Sequence, residues 1–271
     1  MVRDITLGQF FPGKSLMHRL DPRAKLLLVL GIIVFIFVAG NFLGLAVIFS
    51  LVVFGMATSG ISIGRYLKSL KVVLLVILIT SLFNLFYGGG EPLVEWGFLK
   101  ITMQGIRNCI FIAVRIITLV LASSVLTFTT SPTQLTDALE RLLSPLKIFR
   151  IKVHEIAMMM TIALRFIPTL LEETDKIRNA QKARGADLES GGVFQRVKAL
   201  IPILVPLFVS SFRRAYDLAM AMECRCYNGG KGRTKMKVLH FAARDIAAFA
   251  VTGCACAGVV LLRIFVTNPY L

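Results

Sequence analysis

Charge is what this sequence has least of. Only 17% of its 271 residues are Asp, Glu, Lys or Arg, where a soluble domain of this length carries about a quarter. The shortage is concentrated: residues 26–64, 72–90 and 246–262 hold no charged side chain at all. Runs of roughly 17–25 apolar residues are long enough to cross a bilayer as helices. A soluble globular protein is excluded, and the chain reads as an all-α integral membrane protein. The first apolar run starts at Leu26, behind 25 rather polar residues, so no cleavable signal peptide is expected.

Reactive groups are equally sparse. The five cysteines, at 109, 224, 226, 254 and 256, are odd in number and sit mostly in or near apolar segments. That excludes a disulfide framework and leaves reduced thiols. Cys254 and Cys256 lie midway along the last apolar run, whereas Cys224 and Cys226 lie in a basic stretch, so the two pairs are not expected to share a metal. His18, His154 and His240 are too scattered for a metal triad, and no Ser, His and acid cluster stands out. Glu172, Glu173 and Asp175 read as a solvated helix face, and Met158–Met160 as packing or an adaptable contact surface. No catalysis, cofactor or metal is expected of this chain.

The charge that is present is basic, with a net +16. Between Thr130 and His240 there are 18 Lys or Arg against 10 Asp or Glu. Arg3, Lys14, Arg19, Arg23 and Lys25 precede the first run, and Arg65, Lys68 and Lys71 fall in a short loop, 60–71. The loop Gly88–Lys100 carries Glu91 and Glu95 against a single Lys. This is the positive-inside bias of a membrane protein rather than a nucleic-acid patch. About five crossings satisfy it, at 26–40, 42–59, 72–87, 102–127 and 242–262, with the N-terminus cytoplasmic and the C-terminus outside. Three divisions follow: 1–129 with four transmembrane helices, 130–240 as a cytoplasmic coupling-helix region, and 241–271 with the last helix. Arg107 lies near the outer end of the fourth crossing and can snorkel. Arg115 lies nearer the middle, where a charge costs about 2.5–3.5 kcal/mol. It must face protein or water, either in a functional role or as a partner for a neighbouring helix.

The cytoplasmic stretch has its own plan. Ser131 is placed to cap a helix with Pro132 in its first turn, and Leu135, Leu139, Leu142, Leu143 and Leu146 form its apolar stripe. A long helix from Val153 to Ala183 and another from Val193 to about Tyr227 each start apolar and end charged. Pro168, Pro202 and Pro206 suit kinked helices at the cytoplasmic face. Their ends are alike: Ala183-Arg184-Gly185 and Cys224-Arg225-Cys226 both put an Arg between small residues, 41 positions apart. A cation suits the negative end of a helix. Small neighbours also let a partner close over the tip while the Arg forks onto a carboxylate or carbonyl. Two tips of the same make favour the second reading.

The segment GQFFPGKS, Gly8–Ser15, fits the phosphate-loop pattern G-x-x-x-x-G-K-[ST]. That chemistry needs a buried strand feeding the loop and a helix leaving it. Here seven residues precede the match and the membrane follows it, so no nucleotide site is expected.

Nearly the whole chain resembles one family, the transmembrane T component of energy-coupling factor (ECF) ABC-type transporters. The resemblance is carried by LGQFFPGKSLMHRLDPRAKLLL, TTSPTQLTDALERLLSPLKIF, VHEIAMMMTIALRFIPTLLEETDKIRNAQKARGAD and VKALIPILVPLFVSSFRRAYDLAMAMECRCY. It assigns the G-K-S match to an N-terminal signature, P-G-x-S-x-x-H-R-L-D-P-R. It implies two ABC-type ATPase subunits docked on two Ala-Arg-Gly tips, here Ala183, Arg184 and Gly185, and Cys224, Arg225 and Cys226. The second tip keeps only its Arg, which puts its fine geometry in doubt. The resemblance further implies a membrane-embedded substrate-binding subunit and uptake of a vitamin or metal ion across a prokaryotic cell membrane. ATP and Mg²⁺ would sit on the ATPases alone. A self-sufficient secondary transporter with Arg115 in its path would need paired intramembrane charges and broken helices within the spans, and neither is seen.

Overall fold

The computed structural model describes residues 10–86, 92–96, 99–186, 192–229 and 239–265. Readings that fall on Gly8–Gln9, the Gly88–Glu91 stretch, 187–191, 230–238 and the C-terminal 266–271 lie outside the described residues. The described chain is overwhelmingly helical. After a single turn, α1 (Leu16–Arg19), come α2 (Pro22–Val38), α3 (Phe42–Ser59) and α4 (Ile63–Phe86). A two-stranded antiparallel ribbon, β1 (Pro92–Trp96) and β2 (Leu99–Thr102), leads into α5 (Met103–Thr129). There follow α6 (Pro132–Leu142), a 3₁₀ segment (Ser144–Phe149), α7 (Val153–Ala183), α8 (Val193–Glu223) and α9 (Ala243–Phe265).

Two boundaries differ from the sequence reading, each for a local reason. The basic stretch 60–71 is not a loop beyond Gly60: α4 begins at Ile63, so Arg65, Lys68 and Lys71 occupy its first turns. Nothing between Ile63 and Lys71 breaks a helix, and Lys and Arg are good helix formers. The acidic segment pairs as a ribbon where Val94, Trp96, Ile101 and Thr102 favour extended backbone.

By length and composition six helices can cross a membrane: α3, α4 (to Leu85), α5, α7, α8 (from Val197) and α9. This is a multi-pass membrane protein. The 17-residue α2 is a turn shorter than most of these. Both α7 and α8 qualify because each runs unbroken through its prolines, joining an apolar first half to a charged second half in 31 residues.

The described residues divide into two compact units, one drawn from 8–138 and 239–271, the other from 139–238. The first unit is a helical bundle with its core where α2, α3, α4, α5 and α9 meet. Ile36, Ile48, Tyr66, Phe128 and Val259 are all at most 2% exposed there. The α4–α5 pair packs closely enough that a Cβ on Gly105 would lie 2.4 Å from the Leu85 carbonyl oxygen, so glycine is required. In the second unit α7 and α8 pack on each other. The expected cap of α6 is present as a reciprocal box: Gln134 N–H donates to Ser131 Oγ at 3.3 Å, and Ser131 N–H to Gln134 Oε1 at 3.2 Å.

Candidate functional site

The sequence singled out two helix tips, and the structure gives them one geometry. At the end of α7, Ala186 N–H donates to Gln181 O at 3.0 Å and Gly185 N–H to Lys182 O at 3.0 Å. At the end of α8, Tyr227 N–H donates to Met222 O at 3.0 Å and Cys226 N–H to Glu223 O at 2.8 Å. Each pair of bonds is a Schellman closure, which turns the chain through one left-handed residue. That residue is Gly185 (φ 82°) in the first tip and Cys226 (φ 55°) in the second. Both bonds of the first closure map onto the second by adding 41 to the residue number. Cysteine holds the left-handed shape that glycine adopts freely, at a cost of about 1–2 kcal/mol. The second tip therefore keeps the same closure without a glycine at 226.

Ala183, Arg184, Gly185, Cys224, Arg225 and Cys226 are all exposed. Neither Arg184 nor Arg225 has a side-chain partner among the described residues. Two contacts set the direction of the helices that carry them. Gln181 Nε2 donates to Pro202 O at 3.3 Å, and Arg214 pairs with Glu173 at 3.1 Å. Rising numbers on α7 meet falling numbers on α8, so the pair is antiparallel. Arg184 follows Gln181 closely, while Arg225 lies 23 residues beyond Pro202. At 1.5 Å per residue, and with Arg184 lying past Gln181 on the side away from Arg225, the tips stand roughly 40 Å apart. Aromatic and aliphatic side chains on α8 remain uncovered, among them Phe208 (65% exposed), Phe212 and Tyr216.

The N-terminal pattern resembling a phosphate loop has other work. His18 Nε2 donates to Phe11 O at 2.8 Å, and in a neutral ring Nδ1 then accepts from the Ser15 hydroxyl at 2.7 Å. A Cβ on Gly13 would strike the His18 ring at 2.7 Å. The glycine and serine of G-K-S thus serve a local fold around His18. Phe11 anchors that fold, donating its N–H to Phe128 O at 3.0 Å and stacking edge-on against the Phe128 ring, with Arg65 over its own face.

Sequence reasoning missed the polar ties that this signature makes. The Asp21 carboxylate caps α2 through Arg23 N–H and holds the Arg23 guanidinium at 2.8 Å. Asp21 N–H donates to Asp245 Oδ1 at 2.8 Å, while Asp245 Oδ2 accepts from Ala242 N–H at the start of α9. Arg23 also reaches Leu239 O and lies over Phe241. Burial opposes ionisation of Asp21, but its hydrogen bonds to Arg23 and the charges of Arg23 and Lys25 outweigh it, holding the carboxyl below the ordinary carboxylate range. Lys25 Nζ crosses to Thr129 O at the end of α5. At the far end of α2, Arg115 donates to Ala39 O and Arg263 to Val38 O, both at 3.0 Å. Arg115 is thus a partner for a neighbouring helix: two cations from α5 and α9 meet the last carbonyls of α2, where the helix dipole is negative. Its guanidinium also lies 4.5 Å from the Phe111 ring centre.

Residues 13–236 match the cobalt transport protein family, CbiQ. The energy-coupling factor transporter transmembrane protein EcfT of Ruminiclostridium cellulolyticum is 48% identical over 252 residues, 93% of this chain and 94% of its own. The chain belongs to this family. EcfT of Thermosediminibacter oceani is 48% identical over 262 residues, covering 97% of this chain and 99% of that one. EcfT of Acidaminococcus fermentans is 47% identical over 271 residues, covering 100% and 98%. The chain is thus a transmembrane component of an ECF transporter, and the described residues hold no group of three His, Cys, Asp or Glu side chains able to bind a metal.

Proposed function

We propose that this chain is the coupling subunit of an ECF-type importer, linking two ABC-type ATPase subunits to a membrane-embedded substrate-binding subunit. The observation that carries the reading is the pair of matched tips. Two exposed arginines, each on the same closed helix end and roughly 40 Å apart, suit two related ATPases standing side by side. A single partner groove has no use for two such tips pointing along opposite directions of an antiparallel pair. ATP and Mg²⁺ belong to the ATPases, and this chain performs no catalysis. When nucleotide draws the ATPases together, the tips move with them, and α7 and α8 pass the movement to the substrate-binding subunit, which rests on the uncovered apolar face of α8. The cargo is a vitamin or other micronutrient chosen by that subunit. In this reading the N-terminus is cytoplasmic and the C-terminus outside, an orientation supported by the basic bias of the segments assigned to the cytoplasm.

The test is co-expression with the two ATPases and purification in detergent. Wild type is expected to retain both, and Arg184→Glu with Arg225→Glu to lose both, because each reversed charge faces a carboxylate or carbonyl groove. Equal retention by the two proteins would make the arginines ordinary helix-end cations and end the docking assignment.

A further inference from the structure

A groove of about 340 Å³ opens between α2, α3, α5 and α9, within the size range of a small-ligand site. Its lining changes character from one end to the other. Lys25, Thr58, Thr129 and Arg244 stand at one end, on the same side of the bundle as the basic first turns of α4. Ile32, Leu51 and Ala122 stand at the other, and no Asp or Glu lines any part of it. From Lys25 to Ile32 on α2, and from Arg244 to Thr252 on α9, the groove runs about two helical turns, roughly 10–12 Å. That approaches half the ~30 Å hydrocarbon thickness of a bilayer. With its cationic end at the level of the headgroups, the groove would extend toward the bilayer midplane, predominantly apolar along its length and cationic at its mouth.

Among the described residues no carboxylate is in direct contact with either cation at the mouth, and Asp21 and Asp245 act on Lys25 only from a distance. Arg244 is exposed and has no ion pair among the described residues. Lys25 donates two of its three protons, one to Thr129 O at 2.9 Å and one to Thr130 Oγ1 at 3.4 Å, both uncharged acceptors. An uncovered guanidinium and a buried ammonium above an apolar trough call for an amphiphile with an anionic head and a hydrocarbon tail.

We propose that this groove is a binding site for an anionic phospholipid, one acyl chain lying between α2, α3, α5 and α9 and its phosphate held at Arg244 and Lys25. A lipid held here would brace α2 against α3 and α9 on the side where Asp21 and Asp245 already tie them. The site is independent of the ATPase-docking reading, since all of its residues belong to the 8–138 and 239–271 unit.

The test uses the full chain in nanodiscs containing phosphatidylglycerol with a diazirine in one acyl chain, followed by mapping of the crosslinked residues. Wild type is expected to be labelled at groove residues such as Val29, Leu51 and Val251, and excess unlabelled phosphatidylglycerol should compete where phosphatidylcholine does not. Ala248→Phe, which fills the groove, should abolish that labelling. Arg244→Gln should lower the preference for phosphatidylglycerol about fivefold, the worth of one basic residue at an anionic surface. Labelling of the broadly exposed α4 residues Val72, Leu75 and Phe83 is the internal reference. A misfolded variant disturbs both sets, whereas a filled groove loses only the first. Equal competition by the two lipids, or groove labelling that survives Ala248→Phe, would overturn the proposal. So would crosslinks from groove residues of the assembled complex to another protein chain, which would make the groove a subunit contact.

Discussion

Arginines placed beside apolar helices need acceptors, and Arg115 and Arg263 find theirs on the final carbonyls of α2. Removing Arg115 leaves Ala39 O without that donor, so Arg115→Leu is expected to lower stability by about 1–3 kcal/mol. Thermal unfolding in detergent, compared with transport per folded molecule, checks this. Transport should be unchanged, and a transport defect in a protein of full stability would assign Arg115 a part in the mechanism. Asp21 makes a pH-dependent contribution. Its folded-state pKa is depressed, so its stabilisation is fully present above the ordinary carboxylate value near 3.9 and is lost as pH falls through the lower folded value. A stability profile from pH 7 to pH 3 should therefore be steeper below pH 4 for wild type than for Asp21→Asn, which begins from a lower plateau. None of these partnerships was legible in the sequence. Asp21 and Asp245 are 224 residues apart, and a lone Arg in an apolar run announces the need for a partner without saying which carbonyl meets it.

Among the elements, α3 and α9 could be placed from the charge-free runs, and α5 from an apolar run interrupted only by Arg107 and Arg115, because a bilayer tolerates little else. The break between α2 and α3 follows from Ala39, Gly40 and Asn41, and the cap of α6 from Ser131, while the reciprocal bond to Gln134 was not foreseen. The start of α4 was not legible, since a positive cluster reads as a loop whether or not the backbone under it is helical. The tips were legible in spacing but not in shape. A Cys-Arg-Cys end carries no sign that Cys226 takes the left-handed conformation, which most side chains avoid. Two substitutions of opposite sign follow. Cys226→Gly should relieve about 1 kcal/mol of that strain and slow hydrogen exchange at Tyr227 N–H about fivefold. Gly185→Val should hasten exchange at Ala186 N–H, because a β-branched residue is placed at φ 82°. Equal rates in all three proteins would show that the closures do not depend on these residues.

In the whole molecule, labour is divided between a helical bundle tied by polar latches and an antiparallel pair of long helices with matched ends. The bundle's ties, Asp21 with Asp245 and Lys25 with Thr129, sit at buried positions, as a rigid frame requires. The tips leave Ala183 through Gly185 and Cys224 through Cys226 exposed, as docking points require. Two of those exposed positions are thiols, which makes the central claim directly measurable. The measurement is labelling by a charged, membrane-impermeant maleimide of the chain alone and of its complex with both ATPases, read residue by residue by mass spectrometry. Cys224 and Cys226 should label in the free chain and be shielded in the complex, while Cys109, Cys254 and Cys256, within α5 and α9, should label in neither. Unchanged labelling of Cys224 and Cys226 in a complex that contains both ATPases would contradict docking at this tip, and with it the account of how the chain couples ATP to transport.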